Sequence, residues 1–316
     1  MGQLIEGHWH LAEPSRPTGR FVRQASMFRN WITPDGAAGP SGGDGFRAEP
    51  DRYHLYVSLA CPWAHRTLIM RALKRLEGMI GVSVVHWLMG DDGWTFEPGD
   101  GVIPDAVNGC RHLRDLYVLA EPLCTSRVTV PVLWDKTRRT IVSNESSEIT
   151  RMLNSAFDRL GAAAEDYRPP DLVDDIDAWN GRIYEHLNNG VYKAGFASSQ
   201  DGYDAAARGV FAMLDELEDR LSDGRPFICG DRLTETDIRL FPTLIRFDAV
   251  YFTHFKCNLR RIGDYRFLSA YTRSLYRHPG FRQTVDLDHI RNHYYQSHRS
   301  LNPSGIVPIG PLLRLD

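Results

Sequence analysis

A small α/β domain followed by an all-helical domain is the fold class that this sequence predicts, on three observations. The chain has 316 residues, more than one hydrophobic core commonly serves, since single cores stop growing near ~250–300 residues. Between residues 53 and 157, β-branched runs alternate with helical spacings in the order β-α-β, a long connection, α, then β-β-α. After the Pro169–Pro170 pair only helical periodicities remain.

The first fifty residues, rich in Gly, Pro and Arg, read as an N-terminal arm, 1–50, with a loop from Pro34 to Gly45. Within it Arg20 to Trp31 mixes cations and aromatics, either as a surface segment pinned by its rings or as an arm lining a site. The α/β domain, 51–157, opens with a strand at Tyr53 to Ser58. Pro62 then suits the first position of a helix that carries Leu68, Ala72, Leu73 and Leu76. The apolar run Val82 to Met89 predicts a buried strand, and Arg111 to Leu119 a short helix. Val128 to Trp134 and Thr140 to Val142 are the last strands, and Asn144 is the expected cap of a helix over 145–157. Residues 158–172 read as a linker and 173–316 as the helical domain with its tail. Tyr203, Ala207, Val210, Leu214, Leu217 and Leu221 form its clearest stripe, and Thr234 to Asp237 resembles a capping box with Asp in place of Glu.

Composition excludes several classes. A formal charge of −3 gives no reason to expect a nucleic-acid partner. No run of about 18 apolar residues predicts a membrane span, and the first twenty residues lack an apolar signal core. Met1-Gly2 opens like a myristoylation site, but Glu6 stands where Ser or Thr is needed. Five sparse cysteines are not a disulfide framework, so a soluble protein of the reducing cytoplasm is expected. No glycine-rich nucleotide loop and no HExxH motif occurs. His289 and His293, with His298 nearby, are joined by no cysteine or carboxylate, so no metal is expected.

The chemistry concentrates at Cys61-Pro62-Trp63-Ala64. A buried cysteine is by default a small hydrophobe. A cysteine between a strand end and a helix start instead meets the positive end of the helix dipole and unpaired backbone N–H groups, which favour the nucleophilic thiolate. A dithiol oxidoreductase carries its resolving cysteine where Ala64 stands. An external thiol must therefore resolve any mixed disulfide formed at Cys61, and glutathione is the usual small thiol. Pro131 cannot donate to a strand ladder. A cis Val130–Pro131 bond would turn the Val130 backbone outward, towards an extended peptide ligand. Glu145 and Ser146 open a helix, either as simple capping or as a cradle for a ligand carboxylate.

Those residues, in that order, resemble the thioredoxin-like domain of glutathione transferases. More narrowly the chain is similar to the glutathionyl-hydroquinone reductases, the cysteine-type, omega-like Xi class. The likeness rests on Gly19 to Trp31, Ala60 to Arg66, Asp92 to Phe96, Arg127 to Asp135, Asn144 to Ile149, Val191 to Phe196, Arg246 to Tyr251, His289 to His298 and Asn302 to Pro308, almost end to end. The resemblance implies the glutathione transferase fold, a thioredoxin-like domain followed by an all-α domain. It makes Cys61 the catalytic nucleophile, and Trp94, Arg127, Val130, Glu145 and Ser146 the glutathione site. Tyr192, Tyr251 and one or both of Tyr294 and Tyr295 become an aromatic, proton-donating wall for the hydroquinone. Ala194 stands where the family often has a cysteine, and no catalytic weight rests on it. Glutathione is the implied co-substrate, with no metal or nucleotide, glutathionylated aromatics the partners and a homodimer the assembly.

The implied reaction is glutathione-dependent reduction of glutathionyl-hydroquinones through a Cys61–glutathione disulfide. Two alternatives stay open: a broader omega-like thiol transferase or dehydroascorbate reductase, and a non-enzymatic carrier of aromatic ligands. The tyrosines favour the hydroquinone, and Cys61 disfavours the carrier, which needs no thiolate.

Overall fold

A computed structural model describes residues 2–11, 19, 21–313 and 315. Residues 1, 12–18 and 20 of the expected arm lie outside the described residues. The chain divides into two compact units. The first comprises the described part of 1–14 with 25–165 and 284–293, and the second the described part of 15–24 with 166–283 and 294–316.

In the first unit β5 (Tyr53–Val57) is the centre of a four-stranded sheet. It pairs in parallel with β6 (Ile80–Val84) and antiparallel with β7 (Val132–Asp135), which pairs antiparallel with β8 (Thr140–Ser143). All five β5 residues are buried, as expected of a central strand whose two faces are covered. Helices α1 (Pro62–Leu73) and α3 (Ser146–Ser155) pack on each other, and α2 (Leu113–Ala120) packs against β8.

Two expected strands are shorter than the apolar runs suggest. β6 stops at Val84. Val85 still donates to the Val57 carbonyl, but His86 already donates to Thr95 at 2.8 Å, so the chain has left the sheet. The strand expected from Val128 begins only at Val132. The Tyr117 hydroxyl takes both backbone groups of Thr129, and Pro131 has no N–H to contribute.

The N-terminal segment holds more structure than its composition suggests. β1 (Gly2–Ile5) and β2 (His8–Leu11) form an antiparallel hairpin. Its two-residue turn, Glu6-Gly7, has both φ angles positive, 50° and 78°, the geometry that matches strand twist. β3 (Trp31–Thr33) and β4 (Gly45–Arg47) pair in parallel across the expected loop.

The second unit is helical: α4 (Val173–Ile183), α5 (Gly190–Gly195), α6 (Gln200–Leu221), α7 (Glu235–Arg246), α8 (Arg266–Arg277) and the short α9 (Pro279–Arg282). Helix α10 (Leu287–Ser297) is divided, residues through His293 falling in the first unit. Every apolar member of the α6 stripe from Ala207 to Leu221 is buried, while Tyr203 is half-buried and donates its hydroxyl to the Lys256 carbonyl. Two π-helical stretches continue helices, Tyr184–Asn188 after α4 and Phe247–Tyr251 after α7. Each carries an i to i+5 bond, Asn189 N–H to Tyr184 and Phe252 N–H to Phe247. Among the described residues no helix is long and apolar enough to cross a membrane.

The capping box at the start of α7 is present. Asp237 accepts from the Thr234 N–H at 2.8 Å and hydroxyl at 3.0 Å. Its other oxygen accepts from the Ile228 N–H at 3.0 Å and the Tyr271 hydroxyl at 2.6 Å. Asp237 is thus a buried structural hub. Replacing it with Ala strands several buried donors, each costing about 1–3 kcal/mol, so Asp237→Ala is expected to lose at least ~3 kcal/mol in a urea unfolding measurement. A loss below ~1 kcal/mol would deny the hub its structural weight.

Candidate functional site

Cys61 is the N-cap of α1, directly after the β5 turn, with extended dihedrals of −77° and 121° and Pro62 at the first helical position. The half-buried Cys61 thiol donates to the Val130 carbonyl at 3.5 Å. Two of the expected site elements, 69 residues apart, therefore meet at the Cys61 sulfur. The Val130–Pro131 bond is cis.

The expected cap of α3, Asn144, does other work. Its side chain accepts from the Phe28 N–H at 3.1 Å and donates to the Tyr117 hydroxyl at 3.1 Å. The N-cap is Glu145, whose Oε1 accepts from the Ser147 N–H at 3.1 Å and hydroxyl at 3.0 Å. A carboxylate satisfies the helix start better than an amide because it also meets the dipole. Glu145 Oε2 accepts from the Ser26 hydroxyl at 3.0 Å. Burial pushes the Glu145 carboxyl up, but the bonds from Ser147 and Ser26 and the Arg66 charge outweigh it and leave its pKa below the ordinary value. It is therefore an anion well placed to receive an ammonium group. Ser146, buried, is the first residue of α3. Trp94 stacks on His293 at 4.8 Å between ring centres, and Arg127 is half-buried in the chain entering Val130.

From residue 25 onward the segment Arg20 to Trp31 is bonded to α3 and the residues that open it. Besides Ser26 and Phe28, Arg29 pairs with Glu148, and the Ile32 N–H meets the Met152 sulfur at 3.0 Å. Ser26, which sequence reasoning did not single out, is the bonded partner of the expected site residue Glu145. Its only signal was membership of the aromatic-cation segment.

In the second unit the Tyr294 hydroxyl is bonded to that of Tyr192 at 2.5 Å and to that of Tyr251 at 3.1 Å. Tyr295 is not part of this group, and its hydroxyl donates to the Ala249 carbonyl at 3.3 Å. Burial, reinforced by the neighbouring phenols, drives the Tyr251 and Tyr294 pKa values well up, so both remain protonated donors. Phe21 stacks on Tyr192 and Phe196, and the Arg23 guanidinium lies 5.0 Å from the Tyr192 ring centre while bonding Asn189 at 2.9 Å.

The surroundings of the remaining thiols oppose ionisation. Burial raises the pKa values of Cys124 and Cys229. It pushes those of Cys110 and Cys257 up to about 12. His289 and His293 each bond a main-chain carbonyl, of Asp100 at 2.6 Å and Trp87 at 2.8 Å. Among the described residues no group of three or more His, Cys, Asp or Glu is placed to hold a metal ion.

Residues 60–156 match the family described as Glutathione S-transferase, N-terminal domain, and residues 200–294 match Glutathione S-transferase, C-terminal domain. Glutathionyl-hydroquinone reductase YqjG of Escherichia coli is 57% identical over 319 aligned residues, covering 100% of this chain and 97% of that one. Glutathionyl-hydroquinone reductase PcpF of Sphingobium chlorophenolicum is 54% identical, covering 98% and 96%. Among solved structures, glutathione-bound YqjG superposes with a TM-score of 0.93 at 55% identity over 100% of this chain and 97% of that one. A Xi class transferase from Natrialba magadii gives 0.92 at 46%, over 100% and 95%.

The Glu145 cap carries a pH signature. Its lowered folded pKa contributes stability above the ordinary carboxylate value, lost as pH falls through the folded pKa. Ser26→Ala removes one of the bonds that hold the pKa down, so the carboxyl titrates higher and acid unfolding begins at a higher pH. Carboxyl titration by NMR checks this, and an unmoved Glu145 resonance would show that Ser26 does not tune it.

Proposed function

The chain belongs to the glutathione transferase family, and we propose that within it the protein reduces glutathionyl-hydroquinones to hydroquinones at the expense of glutathione. The observation that carries this reading is the Cys61 thiol against the Val130 carbonyl. An extended peptide held by the Val130 backbone brings its own sulfur to the nucleophile. Arg127 supplies a cation for the anionic tripeptide, Glu145 an acceptor for its amino group, Ser146 and the start of α3 a seat for a carboxylate, and Trp94 an indole cover.

In the first half-reaction the Cys61 thiolate attacks the sulfur of the glutathionyl group. The sulfur–aryl bond breaks, its electron pair stays with the ring, and a proton completes the free hydroquinone. Cys61 and glutathione are left joined by a disulfide. In the second half-reaction a glutathione thiolate attacks the glutathione sulfur of that disulfide, forming glutathione disulfide and returning the Cys61 thiolate. With Ala64 in place of a resolving thiol, the external glutathione is required. A ping-pong rate law follows.

A bare aryl carbanion is a poor leaving group. Tautomerisation of the ring to a keto form lets attack on sulfur expel an enolate instead, its charge on oxygen. The Tyr192, Tyr251 and Tyr294 phenols are proposed to donate hydrogen bonds to the hydroquinone oxygens as that charge develops. The raised pKa values of Tyr251 and Tyr294 support this role. The same reading carries a homodimer in the cytoplasm, and analytical ultracentrifugation tests the assembly.

Two measurements test the reaction. Intact mass after mixing with one equivalent of a glutathionyl-hydroquinone should gain one glutathione on Cys61 with hydroquinone released, and Cys61→Ser should do neither. Loss of turnover in a folded single variant of Cys110, Cys124, Cys229 or Cys257 as complete as in Cys61→Ser would defeat the assignment.

Tyr294→Phe should lower glutathionyl-hydroquinone reduction by roughly 10²–10⁴-fold, the weight of a positioned acid–base group, yet keep the rate with a small glutathione mixed disulfide. Tyr295→Phe should change neither. Parallel losses on both substrates would return the tyrosines to packing.

A further inference from the structure

We propose that the N-terminal β1–β2 hairpin is a positioning brace for the glutathione pocket, with Trp9 as its principal residue. The inference rests on the reading of Trp94 and Arg127 as glutathione-binding residues. These two residues lie outside the four-stranded sheet, on separate segments, 87–96 and 121–130, that carry isolated β-bridges rather than a continuous ladder. The hairpin is bonded to both.

Its contact with the second segment is through the main chain. Leu4, almost wholly buried, exchanges both backbone bonds with Ser126, the neighbour of Arg127, at 2.9 and 3.1 Å. The turn adds Gly7 N–H to the Cys124 carbonyl at 2.9 Å and Glu6 N–H to the Thr125 hydroxyl at 2.9 Å. Gly7 is the residue this docking requires. Its φ is 78°, and a Cβ would lie 2.1 Å from the Pro122 carbonyl oxygen.

Its contact with the first segment is through one indole. Trp9 Nε1–H donates to the Asp91 carbonyl at 2.8 Å. The ring passes beside two glycines, Gly2 and Gly93, where a Cβ would approach it to 2.2 and 3.0 Å respectively. The Arg114 guanidinium lies 5.2 Å from the ring centre and holds the Asp92 carbonyl and carboxylate at 2.7 and 2.9 Å. Asp91, Asp92 and Gly93 are thus fixed directly before Trp94, whose carbonyl receives the Leu113 N–H at 2.9 Å. The hairpin sets the separation of two ligand-binding side chains without touching the reacting sulfur. Trp9 is therefore a positioning residue, and its removal should act on binding rather than on the chemical step.

Calorimetric titration with glutathione in a Cys61→Ser background tests this on the full chain. Trp9→Leu is expected to weaken binding roughly tenfold. Trp9→Phe, which keeps a ring but loses the Asp91 bond, is expected to weaken it about threefold, within the range of one hydrogen bond. With Cys61 restored, KM for a glutathionyl-hydroquinone should rise by similar factors while kcat holds. A hairpin that serves only stability would move the unfolding midpoint and leave the affinity of folded protein unchanged. Should Trp9→Leu fail to fold, Trp9→Phe decides. Unchanged affinity in the folded Trp9 variants, alongside weakened Trp94→Ala and Arg127→Ala, overturns the brace, as does a kcat that falls with KM fixed. Unchanged affinity in Trp94→Ala and Arg127→Ala overturns the glutathione-site reading itself and the brace with it.

Discussion

The Tyr117 hydroxyl is wholly enclosed and makes the bonds that a phenol can make. It donates to the Thr129 carbonyl at 2.8 Å and accepts from the Thr129 N–H and the Asn144 side chain, both at 3.1 Å. Thr129 precedes Val130, and Asn144 precedes Glu145. One buried oxygen therefore ties the Val130–Pro131 edge to the acidic helix cap. Asn144 extends the tie to Phe28, donating its backbone N–H to the Phe28 carbonyl and accepting the Phe28 N–H on its side-chain oxygen, and the Phe28 ring meets Tyr117 edge-on at 5.7 Å. Burial holds the phenol in its protonated form, so the knot keeps its donor across the working pH range. Polar groups this deep must all be satisfied or they destabilise. The knot is consequently rigid, and the residues flanking it are held at fixed spacing.

A division of labour among the sulfurs follows from placement. Cys61 is the N-cap of α1, at the positive end of the helix dipole, which favours a thiolate. The other four cysteines lie where burial opposes ionisation, with Asp105 adding to that effect at Cys110. Of the five cysteines, Cys61 is the one that caps a helix start. The same reasoning separates the carboxylates. Glu145 is half-buried but surrounded by donors that hold its pKa down, whereas burial wins at Asp237 and raises its pKa despite four donors.

Much of this was legible in the sequence because the signals are local. The Cys61-Pro62 turn, the Val130–Pro131 pair, the α6 stripe and the Thr234–Asp237 box each need only a few neighbouring residues to be read. The two-domain order was equally plain from the change in periodicity. What stayed hidden depends on partners distant in the chain. Ser26 and Glu145 are 119 residues apart, and nothing near either residue announces the bond. Asn144 and Glu145 are both acceptable caps, and the choice was made by Tyr117 and Phe28 claiming the Asn144 amide. Tyr294 and Tyr295 are adjacent but point about 100° apart around a helix, so only packing selects which hydroxyl joins Tyr192 and Tyr251. The hairpin was hidden differently: Glu6-Gly7 was a readable turn within a segment dismissed on composition.

The π-helical stretch Phe247–Tyr251 has a consequence for how this cluster can vary. A π turn carries a surplus residue relative to a regular one, and that surplus sets the angular phase of everything after it. Loss of a single codon within the stretch would restore an unbroken α-ladder and lengthen the regular helix. It would also swing the positions on its two sides by about 100° relative to each other, carrying Tyr251 away from Tyr294. A related gene with that deletion would keep its helix count, its apolar pattern and its Cys-Pro turn. Its phenol trio would be dispersed. Length within this one turn is therefore a more discriminating mark of the shared hydroxyl cluster than the presence of three tyrosines.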